Sequence, residues 1–233
     1  MLCRIADLIV EVPEAGGMAS RCREYFAEAK GAADIVIQKD LYKPNRFPYP
    51  DEDTVAYMES FVQFCSHLLK HNGLYLHASA VELNGKAYLF SGPSGTGKST
   101  HTRLWKMLFP DARIFNDDKP ILRYLDGCWY AYGTPWCGKD GININMKVPL
   151  AGICFLKKGQ MNEMIRLSPL EATARVISQT THRFQRADRL DLMLTLVDRL
   201  VREIPIYELT NKPEIEAARL SYETMRHRET EIV

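Results

Sequence analysis

The alternation of apolar and polar positions divides the chain into a short leading segment and a longer body. CRIADLIVEV (3–12) repeats with period two and predicts a strand, MASRCREYFAEAK (18–30) a helix, and ADIVIQ (33–38) a second strand. Residues 1–50 therefore read as a small β-α-β appendage and linker, and 51–233 as the main domain. The boundary falls in LYKPNRFPYPDED (41–53), where prolines and aspartates break any period. In TVAYMESFVQFCSHLLKHNG (54–73), Val55, Met58, Phe61, Val62, Phe64, Cys65, Leu68 and Leu69 share one helical face, and Asn72-Gly73 supplies a stop.

From Leu74 the period returns to two. LYLHASAVEL (74–83) and KAYLFS (86–91) flank Asn84-Gly85, the residue pair of a type I′ hairpin. A glycine-rich stretch follows, then a helix over about 99–108. ARIFNDDKP (112–120) is a short strand ending in two aspartates. ILRYL (121–125) and CWYAYG (128–133) flank Asp126-Gly127 as a second hairpin. TPWCGKDGININ (134–145) is a polar loop, and LAGICFLKKG (150–159) and EMIRLS (163–168) are strands. Ser168-Pro169-Leu170-Glu171 carries a cap, a proline at the first helical position and a capping-box glutamate, opening a helix to about Gln179. ADRLDLMLTLVDRLVREI (187–204) is an amphipathic helix, IYELT (206–210) a last strand, and KPEIEAARLSYETMRH (212–227) a last helix. A strand-rich, mostly antiparallel middle with helices gathered toward the C-terminus predicts an α/β chain of the α+β kind rather than a doubly wound sheet.

Composition changes this picture little. A formal net charge of +1 offers no field for nucleic acid or a membrane surface, and no apolar run is long enough to span a bilayer. The first residues lack the pattern of a signal peptide. Six cysteines without a CxxC pair read as reduced thiols, so a cytoplasmic location is expected. A homo-oligomer is compatible with the sequence.

The chemistry begins at GPSGTGKST (92–100). Gly92, Gly97, Lys98 and Ser99 occupy the required positions of GxxxxGK[ST]. In that pattern the glycines let backbone N–H groups approach phosphates, and a helix N-terminus follows. The loop residues Ser94, Gly95, Thr96 and Thr100 complete the expected nucleotide cradle. Lys98 would reach the β and γ oxygens, and Ser99 would ligate Mg²⁺. Asp117 and Asp118 follow about 19 residues after the lysine, at a strand end where a carboxylate suits a Mg²⁺-nucleotide site. Two adjacent carboxylates permit one to hold metal and the other to take a proton; which does which is open. His77 lies on the hairpin arm that returns to the loop entrance. Its sequence context fits both a core histidine and a partner of the acidic pair.

The order LHASAV, hairpin, GPSGTGKST, one helix, NDD resembles the catalytic domain of HPr kinase/phosphorylase and, more distantly, ATP-dependent phosphoenolpyruvate carboxykinase. The stretches STHTRLW, NDDKP, YGTPWCGKDGININ and VPLAGICFL look like a group of bacterial relatives of that kinase. The resemblance covers about 73–156 well and the helical C-terminus loosely. It implies a mixed β-sheet core carrying the phosphate loop, and transfer of the γ-phosphoryl group of ATP to a hydroxyl of a peptide, small protein or metabolite, serine foremost. It assigns Asp117 and Asp118 the acid/base and metal roles, Lys98 the transferring phosphate, and His77 a place beside the pair. The arginine signatures for phosphorolysis and for binding a carboxykinase substrate are not found. Two other functions are kept beside this one: a nucleotide-responsive peptide-binding or maturation protein, and a carboxykinase-like lyase.

Trp136, Lys139, Asp140 and Asn143 are the residue types that grip a polar acceptor, and are expected as substrate contacts. The alternative is a structured loop with Trp136 packed on the core. His101 is expected to pack or face solvent rather than touch nucleotide. His182, Arg183, Arg186 and Arg189 form a basic patch, and Arg103 and Lys106 are expected to face solvent.

Overall fold

The computed structural model describes residues 1–14, 17–28, 31–38, 51–180 and 187–226. The leading segment differs from its pattern. Its first strand is a hairpin of β1 (Leu2–Ile5) and β2 (Leu8–Glu11), because Ala6 and Asp7 both take left-handed conformations and turn the chain. The helix expected over 18–30 shrinks to α1 (Met18–Arg21) and a 3₁₀ turn at Arg23–Tyr25. Main-chain pairing ends it: Phe26 bridges Cys3, and the Ala27 N–H donates to the Leu2 carbonyl at 3.1 Å. Ile35–Val36 (β3) pairs parallel with β2 and completes a three-stranded sheet.

The body is a mixed sheet of nine strands among the described residues. Helix α2 (Glu52–Leu68) is capped by Asp51, whose carboxylate accepts from the Thr54 N–H at 2.6 Å. Asn72, left-handed, lies where the pattern placed the stop. The alternating run 74–83 then splits into β4 (Gly73–Tyr75) and β5 (Ala78–Leu83). At the break, Leu76–His77, the chain moves from pairing with β8 (Ile121–Leu125) to pairing with β6 (Lys86–Ser91) and β7 (Arg113–Asn116). The His77 N–H donates instead to the Gln179 carbonyl at 2.8 Å. Both hairpin turns form as expected, with Asn84, Gly85, Asp126 and Gly127 all at positive φ. The second joins β8 to β9 (Cys128–Tyr132).

Strand β10 (Lys147–Lys158) pairs antiparallel with β9 at its start, then parallel with β6 and with β12 (Ile206–Asn211); β11 (Glu163–Arg166) closes the edge on β12. Alternate residues of β5, β6 and β10 enter two different cores. Ala80, Leu89 and Phe155 pack with α4 (Pro169–Gln179) and α5 (Ala187–Glu203). Leu83, Phe90 and Leu156 pack with α3 (Lys98–Leu108) and α6 (Ile215–Arg226). The period of two thus puts one helix pair on each face. The capping box at Ser168 and Glu171 is present. A third cluster joins the leading sheet to α2 and β8–β9 through Phe61, Phe64, Ile121 and Trp136. All six cysteines are unpaired, and only Cys128 is exposed.

Candidate active site

Residues 92–97 connect β6 to α3. At Gly92, φ is 141°, and a Cβ there would stand 3.2 Å from the Leu156 carbonyl oxygen, so the loop leaves the sheet only with glycine at this point. Gly97, also at positive φ, provides no side-chain cap for α3, which leaves first-turn N–H groups open. Thr96 folds the loop back by donating to the Pro93 carbonyl at 2.9 Å. The Lys98 Nζ lies over the loop, donating to the carbonyls of Gly92 at 2.8 Å and Pro93 at 3.3 Å. Burial lowers its pKa, and the charge of Asp118 opposes that shift.

The acidic pair is fixed by Asn116, a fully buried amide at the end of β7. Its Oδ1 accepts from the N–H groups of Asp118 and Lys119, while its Nδ2 donates to the carbonyls of Thr134 and Trp136. The turn carrying the carboxylates is thereby tied to the 134–145 loop. That loop in turn grips Asp117, whose two oxygens accept from the N–H groups of Gly138 at 2.6 Å and Asp140 at 3.0 Å. A Cβ on Gly138 would lie 2.9 Å from the Asp117 carboxylate, so the close approach requires glycine.

Asp118 faces the other way. Its Oδ1 meets His77 Nε2 at 3.0 Å, and its Oδ2 pairs with Lys119 Nζ. The carboxylate can only accept, so Nε2 donates to it, while Nδ1 lies 3.1 Å from Gln179 Oε1. The expected proximity of His77 to the loop entrance is present too: Ser91 Oγ donates to the His77 carbonyl at 2.8 Å.

The two carboxylates are pushed apart electrostatically. Burial raises the pKa of Asp117, and the charge of Asp118 adds to this against the two backbone donors. Burial would raise Asp118 as well, but the His77 hydrogen bond and the charge and hydrogen bond of Lys119 outweigh it and hold Asp118 well below the usual carboxylate range. A folded-state pKa below the unfolded one stabilises the fold once the group ionises. The contribution is present above about pH 4 and is lost as the pH falls toward the depressed folded value. Asp118→Asn is therefore expected to destabilise the protein at pH 6 and much less near pH 2, read from urea midpoints at the two pH values. Equal losses at both would contradict the ion-pair origin.

His77, Lys98, Ser99, Asp117, Asp118 and Lys139 line one cleft of about 540 Å³. Ser94, Gly95, Gly97, Thr100 and Asp140 also border it, whereas Thr96 borders a neighbouring cavity instead. Two expected substrate contacts are corrected. Trp136 is 0% exposed, stacks on Phe64 at 4.8 Å and donates its indole N–H to Ser60 Oγ, so it offers no surface to an acceptor. Asn143 donates to the Arg21 carbonyl at 3.1 Å and lies off the cleft wall, tying the loop to the leading segment. Arg103, expected in solvent, also borders the cleft and bridges to Asp140 at 2.7 Å. His101 is buried against Phe90. Of the basic patch, His182, Arg183 and Arg186 lie outside the described residues.

Lys119 and Gln179 were not anticipated. Lys119 sits within the NDDKP string and could have been marked as a neighbouring cation. Gln179 closes a helix about a hundred residues from His77, and nothing in its local sequence marks it. Among the described residues no group of three or more His, Cys, Asp or Glu side chains is arranged to hold a metal, and no helix is long and apolar enough to cross a membrane.

Fold and cleft together define a mixed α+β protein with a glycine-rich strand–loop–helix facing an acidic pair. The chain belongs to the ScmC family, described as SynChlorMet cassette protein ScmC, whose sequence model matches residues 47–212. No curated protein matches the chain.

Proposed function

We propose that this protein is a Mg²⁺-dependent phosphotransferase with an HPr-kinase- and carboxykinase-like core, which passes the γ-phosphoryl group of ATP to a hydroxyl of a peptide, small protein or metabolite. The observation that carries this is the convergence of Lys98, Ser99, Asp117, Asp118 and His77 on one cleft. The loop's glycine-dependent path and open helix N-terminus suit phosphate oxygens. Ser99 and Asp118 offer the hard oxygen ligands that Mg²⁺ takes while keeping waters, so a cluster of three carboxylates is not required. When bound, the cation neutralises charge developing on the β and γ oxygens.

The roles of the pair follow from their surroundings. A metal ligand must stay ionised, as Asp118 does. A general base works best when its pKa is raised toward neutrality, as that of Asp117 is. Asp117 takes the hydroxyl proton as the acceptor oxygen bonds to the γ phosphorus and the bond to the β-bridging oxygen breaks, releasing ADP. Lys98 leaves its loop carbonyls for the phosphate oxygens. His77, held by Gln179, keeps Asp118 oriented. Lys139, bordering the cleft, is available to the incoming acceptor or its charge.

The test is incubation with γ-labelled ATP and Mg²⁺ against a library of hydroxyl peptides and metabolites, read by mass spectrometry. Wild type is expected to label an acceptor, and Lys98→Ala to abolish both labelling and ATP binding. A wild-type protein that fails to bind ATP at millimolar concentration would remove the basis for the assignment.

A further inference from the structure

Helix α3 leads out of the acidic cleft with its charge unbalanced. Helices α4, α5 and α6 each carry both signs, as in Glu171 with Arg175, Asp198 with Arg202 and Glu216 with Arg219. On α5 these meet as ion pairs, Asp198 with Arg202 at 3.0 Å. Helix α3 holds Lys98, Arg103 and Lys106 and no carboxylate. The helix dipole favours Lys106, in the last turn, but not Arg103 in the middle of the helix.

The helix period decides what shares a face with the cleft. His101, Thr102 and Trp105 are buried, and Trp105 donates to Ser221 of α6. Ser99, Arg103, Lys106 and Met107 fall on the opposite, open face at helical spacing. Ser99 and Arg103 border the cleft, and Lys106 and Met107 carry the stripe about one turn beyond it. Exposed Lys139 borders the same cleft. Met107 is 71% exposed and puts an apolar side chain beside the cations. Arginine and methionine are residue types enriched in protein interfaces. The carboxylate that meets Arg103 is that of Asp140, at 2.7 Å, with the two side chains 62% and 32% exposed. So exposed a pair is weak and screened by salt, and an incoming carboxylate can take its place.

From Ser99 to Lys106 the helix rises about 10 Å, the span of about three residues of extended chain. We propose that this stripe docks the acceptor, and that the acceptor is an acidic peptide segment. Its hydroxyl enters the cleft beside Asp117. Carboxylates about two to four residues away pair with Arg103 and Lys106, and a neighbouring apolar side chain covers Met107. Complementary charge then sets the register that delivers the hydroxyl. The proposal rests on the phosphotransferase reading for the fate of that hydroxyl and adds the substrate class to it.

The test is fluorescence anisotropy of the full chain with short labelled peptides. Each carries a central serine and one leucine, flanked on both sides by Glu, by Gln or by Lys. Wild type is expected to bind the Glu peptide roughly tenfold tighter than the Gln peptide, about threefold for each of two exposed ion pairs, and the Lys peptide weakest. That preference should shrink between about 0.05 M and 0.3 M salt. The double substitution Lys106→Glu, Met107→Ser lies on open surface, so its thermal midpoint should match wild type while the preference for the Glu peptide is lost. Equal wild-type affinities for the Glu and Gln peptides, or an undiminished preference in the folded double variant, would overturn the docking surface. Wild-type self-association that the double variant abolishes would assign the face to a second copy and overturn it too. ATP binding, titrated in parallel, keeps the two readings apart. Bound ATP without a peptide preference removes the docking surface alone, and a peptide preference without ATP binding removes the phosphotransferase reading alone.

Discussion

Asp117→Asn is expected to slow phosphoryl transfer by roughly 10²- to 10⁴-fold, the usual worth of a general base, with ATP affinity changed only a few-fold. The substitution keeps size and burial but removes the proton acceptor. It also sets an amide NH₂ against one of the two backbone donors, Gly138 or Asp140, that the carboxylate now accepts from. Some local loosening is therefore expected beside the catalytic loss, and the pH profile separates the two. In wild type, protonation of Asp117 at low pH removes the base, so the rate of transfer falls as the pH drops through its raised pKa. In Asp117→Asn that limb should vanish, whereas loosening alone would scale the whole profile down. Asp118→Asn should behave differently. It removes the ionised partner of His77 and Lys119, and should raise the Mg²⁺ concentration needed for activity. Full transfer by Asp117→Asn, or an unshifted Mg²⁺ requirement in Asp118→Asn, would reverse or remove these assignments.

Trp136→Ala is expected to be the most destabilising of the substitutions considered, by about 3–5 kcal/mol. The indole is fully buried against Phe61 and Phe64, and its N–H is satisfied by Ser60. At roughly 2–4 °C per kcal/mol for a chain of this size, the thermal midpoint should fall by about 6–20 °C. The damage should reach the site. The Trp136 carbonyl receives the Asn116 amide, and the donors to Asp117 lie two and four residues further along. Trp136→Phe retains most of the packing and should cost far less in stability. A midpoint within 2 °C of wild type for Trp136→Ala would show that the 134–145 loop is held by something else.

Much of the site was legible in advance because its parts obey local rules. Asn84-Gly85 and Asp126-Gly127 favour the left-handed conformations that tight hairpins need, and both turned. Ser168 and Glu171 cap a helix through bonds spanning three residues. The spacing of Gly92, Gly97, Lys98 and Ser99 needs only a strand before and a helix after. The proximity of His77 to the loop entrance follows from the same hairpin, since Ala78 lies opposite Ser91.

Other features resisted for the opposite reason. Ala6-Asp7 contains no glycine, and its turn is held by the pairing of β1 with β2 rather than by its own preferences. The alternation across 74–83 is continuous, yet the strand breaks at Leu76–His77, where the chain exchanges β8 for β6 and β7 as partners. The loop 134–145 has the composition of a binding loop, but whether each side chain turns to solvent or core depends on α2, which contributes Ser60, Phe61 and Phe64.

The sequence by itself determined the Asn84-Gly85 and Asp126-Gly127 turns, the Ser168–Glu171 cap, the buried faces of the long helices and the phosphate-loop pattern, because these depend on φ preferences and on periods of 2 and 3.6 residues. Only the tertiary structure decided that Asp117 and Asp118 sit in opposite electrostatic environments, that Gln179 backs His77, and that Trp136 belongs to the core. Apart from the adjacent Lys119, the groups that set desolvation and hydrogen-bond satisfaction at the acidic pair lie about 20 or more residues away in sequence, and no local period encodes them.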